Sequence, residues 1–181
     1  MSLSRLQTAT DILKAHVHPH ASRGHGFGPG AARLPTQLSL GAATVDQSLE
    51  GGLACGGLHE VRCALARDIG AAAGFALGLA ARAVAAQRGG RGMVLWVRDP
   101  AARGDGGGLF PAGLAQYGLD PSRLTFVEPR DLQGAMWAAD EAAGCAGLAA
   151  LVFQIRGNPS RFDITATRRL MLRARESGVL A

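Results

Sequence analysis

The sequence predicts an α/β domain, a mostly parallel sheet sandwiched by helices, with a helical arm in front of it. Three observations predict this. Met93 to Val97 and Leu148 to Ile155 are short apolar runs without polar alternation, as in strands covered on both faces. Helix-length segments, Ile69 to Arg88 and Leu132 to Gly144, precede them and stop at glycine. Helix and strand therefore alternate, which is the pattern of parallel α/β units.

The 181 residues suffice for one domain with a sizeable core plus an extension. Hydrophobic residues make up 48% and aromatics only 5%, so the core must be built of small side chains and close backbone approach. The formal net charge of +5 points either to an acidic partner, nucleic acid or protein, or to arginines that are simply solvated. Cys55, Cys63 and Cys145 lack metal-ligand spacing and cannot all pair, which fits a reduced, cytoplasmic setting. No basic segment followed by an apolar run opens the chain, so no secretory signal is expected. The longest apolar run, Ile69 to Ala81, is short, alanine-rich and broken by Arg82, and no membrane span is expected from it.

The chain divides into an arm (1–18), a linker (19–35) and a core (36–181). Ser2 to Val17 reads as a helix with Leu3, Leu6, Leu13 and Val17 on one stripe and Arg5, Asp11 and Lys14 off it. Such a stripe must pack on its own core or on a neighbouring chain, so a homo-oligomer formed through the arm is one expectation. His16, His18, His20 and His25 resemble a metal cluster in composition. Pro19 spoils the geometry and no carboxylate or cysteine is near, so they read as a helix end running into a linker, with no metal site.

Leu38 to Phe75 organises the core. Val45, Leu49 and Leu53 fall at helical spacing and can share a face, and Gly51-Gly52 can end that helix with positive φ. Gly56-Gly57 turns into an expected strand, Leu58 to Cys63, in which Leu58, Glu60 and Arg62 alternate against His59, Val61 and Cys63. A phosphate-binding loop after such a strand reads G-x-x-x-x-G-K-[ST], with lysine on the outer phosphates and the hydroxyl on Mg²⁺. Residues 64–72 hold no lysine, serine or threonine, and the only lysine in the chain is Lys14. Asp68 puts a negative charge where phosphates would sit, and Arg67 supplies charge without lysine's point-like geometry. Arg67, Asp68 and Gly70 thus mark a degenerate nucleotide loop or a plain strand-to-helix joint.

In the first core helix, Gly74 and Gly78 lie four apart and admit a close neighbour, while Phe75, Leu79 and Val84 supply bulk. Arg98-Asp99-Pro100 follows the strand Met93 to Val97, at the end where open α/β sheets bind ligands. The glycine-rich loop 103–108 comes next. A short helix, Phe110 to Tyr117, turns at Asp120-Pro121 into strand Leu124 to Val127. Helix Leu132 to Gly144 turns Met136, Trp137 and Ala143 inward, with Asp140 and Glu141 expected on a solvated face. The strand Leu148 to Ile155 carries Gln154 where a magnesium-holding aspartate would stand, and glutamine is a poor magnesium ligand. In the last helix, Asp163 to Arg175, Asp163 or Thr165 is the cap and Ile164, Leu170, Met171 and Ala174 can face the sheet. Arg161, Arg168, Arg169, Arg173 and Arg175 form a basic stripe, either solvated or facing an acidic partner or DNA. DNA binding by that stripe alone is expected to be weak and salt-dependent. Gly178 to Ala181 begins a further strand, so the core is expected to be incomplete at its C-terminal end.

Several of these pieces form ordered sets. Ser39-x-Gly41, Val45-Asp46, Leu49, Gly51-Gly52-Leu53, Gly56-Gly57 and Leu58-x-Glu60-Val61 resemble the run before the P-loop in RecA-family recombinases. Across Leu38 to Ala181, GFALGLAAR, VLWVRDP, GLAQYGLDPSRLTFVEPRD, MWAADEA and DITATRRLMLRARESG resemble the ImuA-type proteins of bacterial inducible mutagenesis, which are RecA-like and related to the division inhibitor SulA. The resemblance implies a RecA-like fold and a damage-induced, cytoplasmic, non-catalytic adaptor of translesion synthesis. It implies as partners an ImuB-like polymerase-family protein, an error-prone replicative-type polymerase, and RecA. ATP and Mg²⁺ are not expected as cofactors. Two alternatives stay open. One is a divergent RecA-superfamily ATPase in DNA repair, with Arg67 at the loop and Asp99 in the position of the acid that orients the attacking water. The other is a SulA-like cell-division inhibitor.

Overall fold

The computed structural model describes residues 35–87 and 92–181. The arm, nearly all of the linker and the four N-terminal histidines lie outside the described residues. Two short strands, β1 (Gln37–Leu38) and β2 (Leu53–Ala54), pair antiparallel around helix α1 (Ala43–Ser48). The core then runs α2 (Ile69–Ala86), β3 (Met93–Arg98), α3 (Pro111–Gln116), β4 (Leu124–Val127), α4 (Leu132–Ala143), β5 (Leu148–Gln154) and α5 (Ile164–Ser177).

The central sheet is parallel, in the order β4-β3-β5. Backbone bonds carry it further. Leu180 N–H donates to Ala149 O at 3.2 Å and Leu151 N–H donates to Leu180 O at 2.8 Å. Beyond that, Ala181 N–H donates to Gly57 O at 3.1 Å and His59 N–H donates to Ala181 O at 2.8 Å. Each pattern brackets one residue between two on its neighbour, the parallel arrangement. Residues 179–181 therefore lie beside β5, and 56–59 beside them. The strand expected over Leu58 to Cys63 is realised only to His59. Residues 60–63 have no backbone partner among the described residues, so nothing holds them extended in a ladder.

Strand β3 shows how the core is split. Val94 and Trp96 point to one face and Leu95 and Val97 to the other, as the two-residue period requires. Leu77, Ala80, Ala81 and Val84 of α2 cover the first face. Ala135, Ala138 and Ala142 of α4, with Leu170 and Ala174 of α5, cover the second. The alanine-rich composition is thus used where helices lie close to the sheet.

Four side-chain expectations are corrected. Phe75 is 51% exposed, so the bulk of α2 inside the core comes from Leu77, Leu79 and Val84. Val45 and Leu49 are exposed and α1 buries nothing, because the helix ends at Ser48 and Leu53 leaves it for β2. Asp140 is buried rather than solvated, because α5 packs its arginines over it. On α5 itself the buried positions are Ala166, Leu170 and Ala174, spaced by four, which turns Ile164 and Met171 outward. The helix is capped by Asp163, whose Oδ1 accepts from Thr165 N–H at 3.0 Å and Ala166 N–H at 2.9 Å. Gly178, with φ +80, closes it.

Residues 66–86 form one continuous helical stretch of 21 residues, long and apolar enough by length and composition alone to cross a membrane. In the fold, the face from Leu77 to Val84 packs on the sheet. Gly74 and Gly78 do admit a close neighbour: a Cβ at Gly74 would lie 2.6 Å from the Tyr117 hydroxyl. The neighbour is the Tyr117 ring, at the C-terminal end of α3, not the sheet.

Candidate functional site

The carboxyl ends of β3, β4 and β5 meet the first turns of α2 and the loop 105–110, the end at which open α/β sheets bind ligands. The loop before α2 is a 3-10 turn, Ala66–Asp68, running straight into the helix. Asp68 N–H is spent on Leu65 O at 2.9 Å. The Arg67 guanidinium projects into solvent, 3.9 Å from the Asp68 carboxylate. A Cβ at Gly70 would meet nothing within 4 Å, so no neighbouring protein atom requires glycine there. A nucleoside triphosphate needs convergent N–H donors and a free cation here. These residues do not fit one.

Asp99 follows directly on β3, beside Gln154 at the end of β5. Asp99 N–H donates to Gln154 O at 2.8 Å, while the Asp99 carboxylate accepts from Ala101 N–H at 3.1 Å and caps the turn Pro100–Ala102. The buried Asp99 is thus engaged as a cap. Gln154 Oε1 accepts from the Trp96 indole N–H at 3.1 Å. The side chain that stands where the sequence pattern would place a magnesium-holding aspartate is tied to a core tryptophan.

Between these groups runs a groove of about 190 Å³, lined by Leu77, Trp96, Phe110, Tyr117 and Phe126 among others. Its charged groups are already paired. Arg98 donates from Nε to Glu128 at 2.6 Å and from Nη1 to Gly107 O at 3.0 Å, and its guanidinium lies 4.8 Å from the Phe126 ring centroid. Arg103 donates to the other Glu128 oxygen at 2.7 Å. Hydrogen bonds from Arg103 and then Arg98 hold the Glu128 carboxyl below the usual range. Asp105 pairs with Arg156 at 3.2 Å. The groove offers aromatic surface and no free cation of its own.

The Arg98–Glu128 pair was not among the expected site residues. Its signal was present: each follows the last apolar residue of a strand, and Val97 and Val127 are in register. What the sequence lacks is strand order, without which the two ends cannot be brought together.

The basic stripe divides in two. Arg169 and Arg173 both donate to Asp140, at 2.7 and 2.9 Å, and Arg173 lies 3.6 Å from Glu141. These two arginines hold α5 to α4. Arg161, Arg168 and Arg175 enter no ion pair among the described residues. The expectation of one continuous five-arginine face is corrected accordingly.

The segment resembling the lead-in of recombinases has a structural use. Asp46 accepts from Leu40 N–H at 2.6 Å, Ser39 Oγ at 2.7 Å and Gly41 N–H at 3.1 Å. These bonds, Leu40 first and Ser39 next, lower the Asp46 pKa. Arg82 of α2 donates to Ser39 O at 2.6 Å, fastening this knot to the core. Among the described residues no cluster of three or more His, Cys, Asp or Glu side chains is placed to hold a metal.

A crystal structure of the RadB recombinase superposes on the chain with a TM-score of 0.53 and 20% identity, over 80% of this chain and 67% of that one. The fold is therefore α/β and RecA-like. No family model and no curated protein matches the sequence.

Proposed function

We propose that the chain is a non-catalytic, cytoplasmic RecA-like adaptor of DNA-damage-induced translesion synthesis. It works by protein contacts with an ImuB-like polymerase-family protein and an error-prone replicative-type polymerase, and associates with RecA. The specific pathway comes from the resemblance to ImuA-type proteins over Leu38 to Ala181. The single observation that carries the non-catalytic part is Gln154, whose side-chain oxygen is held by the Trp96 indole where a motor would keep a metal-holding carboxylate. The 3-10 turn at Ala66–Asp68, without lysine or hydroxyl, supports the same reading. A role carried out by protein contact uses the RecA-like core as a rigid scaffold and leaves the nucleotide chemistry to others.

A genetic test separates this from the ATPase alternative. Deleting the gene in its source cell should lower the frequency of ultraviolet-induced mutation. Wild type and an Arg67→Ala, Asp99→Asn double variant should restore it equally. Unchanged mutation frequency on deletion would refute the pathway; restoration by wild type alone would refute the non-catalytic role.

A further inference from the structure

The outward face of α5 combines apolar and cationic groups in a way the core does not explain. Ile164 is 82% exposed, Met171 42% and Leu172 45%. With Arg168 and Arg175 they occupy positions 164, 168, 171, 172 and 175, the three- and four-residue steps of a single helical face. That face lies opposite the buried stripe Ala166, Leu170 and Ala174. Neither arginine has an ion-pair partner among the described residues, whereas Arg169 and Arg173 on the flank are neutralised by Asp140 and Glu141. Glu176 stands at the edge of the face.

We infer that this face docks an acidic amphipathic helix of a partner protein. Three apolar side chains interleaved with two unpaired guanidiniums match a helix with leucine or phenylalanine on one stripe and Asp or Glu beside it. Nucleic acid fits less well. A phosphate backbone leaves Ile164, Met171 and Leu172 without apolar partners, and the flanking carboxylates weaken the positive field that phosphates need. The chain's own arm has the wrong sign, because Ser2 to Val17 carries Arg5 and Lys14 against Asp11 alone. A second copy of the same face would set arginine against arginine. The inference deepens the adaptor reading by giving it a contact surface.

The test pans a phage-displayed library of short helical peptides against the full chain, then measures selected peptides by fluorescence anisotropy. The expected peptides alternate acidic and large apolar residues at helical spacing. Their Kd should weaken about tenfold or more in Ile164→Glu, Met171→Glu and in Arg168→Glu, Arg175→Glu, and should weaken with added salt. Both pairs are exposed, and unchanged urea midpoints confirm that the variants fold. Recovery of no peptide, of peptides without acidic residues, or of peptides that bind the variants as well as wild type overturns the inference. A single-stranded oligonucleotide that binds this face, sensitive to the arginine pair but not to the apolar pair, also overturns it. None of these results touches the non-catalytic reading, which titration of the full chain with Mg-ATP decides.

Discussion

The indole N–H of Trp96 and the side-chain oxygen of Gln154 are hydrogen-bonded at 3.1 Å across the adjacent strands β3 and β5. Their backbones are already in register, with Trp96 opposite Val152 and Arg98 opposite Gln154. The bond satisfies the polar edge of a tryptophan that is 1% exposed. The Gln154 side chain thus serves the core. Replacing Gln154 by Leu should destabilise the domain by about 1–2 kcal/mol, because it leaves the indole donor unsatisfied. Gln154→Asp should lose stability too and gain no Mg²⁺-dependent hydrolysis, since the loop before α2 still lacks its lysine. Urea denaturation and a phosphate-release assay on the purified variants check both.

Asp140 is the hinge of a second relationship. It is buried at 7% exposure and takes both Arg169 and Arg173. Asp140→Ala strands the Arg169 guanidinium and leaves Arg173 only Glu141, 3.6 Å away, and both arginines are partly open to water, so the cost should be about 1–2 kcal/mol, below that of a fully buried pair. A double-mutant cycle with Arg173→Ala should return a coupling of about 0.5–1 kcal/mol. Strict additivity would mean the pair does not fasten α5 to α4.

Glu128 gives a pH signature. Its folded pKa is depressed by hydrogen bonds from Arg103 and Arg98. A depressed carboxylate stabilises the fold above its unfolded pKa, about 4.3 for glutamate, and the contribution is lost as pH falls through the lower folded value. Thermal melts of wild type should therefore fall between the ordinary glutamate range and more acidic pH. Glu128→Gln should be less stable at neutral pH and show a shallower fall over that window. Parallel curves for the two proteins would show that the pair contributes nothing.

Gly52 sits at φ +128, and a Cβ there would run into the Leu38 carbonyl where β1 meets β2. Gly52→Ala should cost about 2–4 kcal/mol, the combined effect of a disallowed backbone and a clash with backbone rather than a flexible side chain. Gly70→Ala, where a Cβ meets nothing, should be neutral or slightly stabilising in a helix first turn. Urea midpoints of the two variants test the contrast.

Much of the fold was legible. Uniformly apolar runs announced β3 and β5, and glycine pairs announced the turns, because burial on both faces and positive φ leave few residue choices. Strand β4 and the helix before it followed from Asp120-Pro121 and the short apolar run after it. The fate of Leu58 to Cys63 was not legible, because alternation describes a strand only when a neighbour exists to pair with it, and here pairing stops at His59. Phe75, Ile164 and Met171 were misplaced because helical spacing gives a face but not which face meets the sheet. At the site, the missing lysine and hydroxyl could be read from the loop itself. The Arg98–Glu128–Arg103 cluster and the aromatic groove could not, since they join strand ends and loops that are distant in sequence.

The central claim is that this RecA-like core does not use nucleotide. Isothermal titration of the full chain with millimolar Mg-ATP, followed by a hydrolysis assay on the same sample, tests it most directly. The account predicts no saturable heat and no phosphate release above the buffer blank. Saturable binding that Arg67→Ala abolishes would contradict it and make the loop before α2 a working nucleotide site.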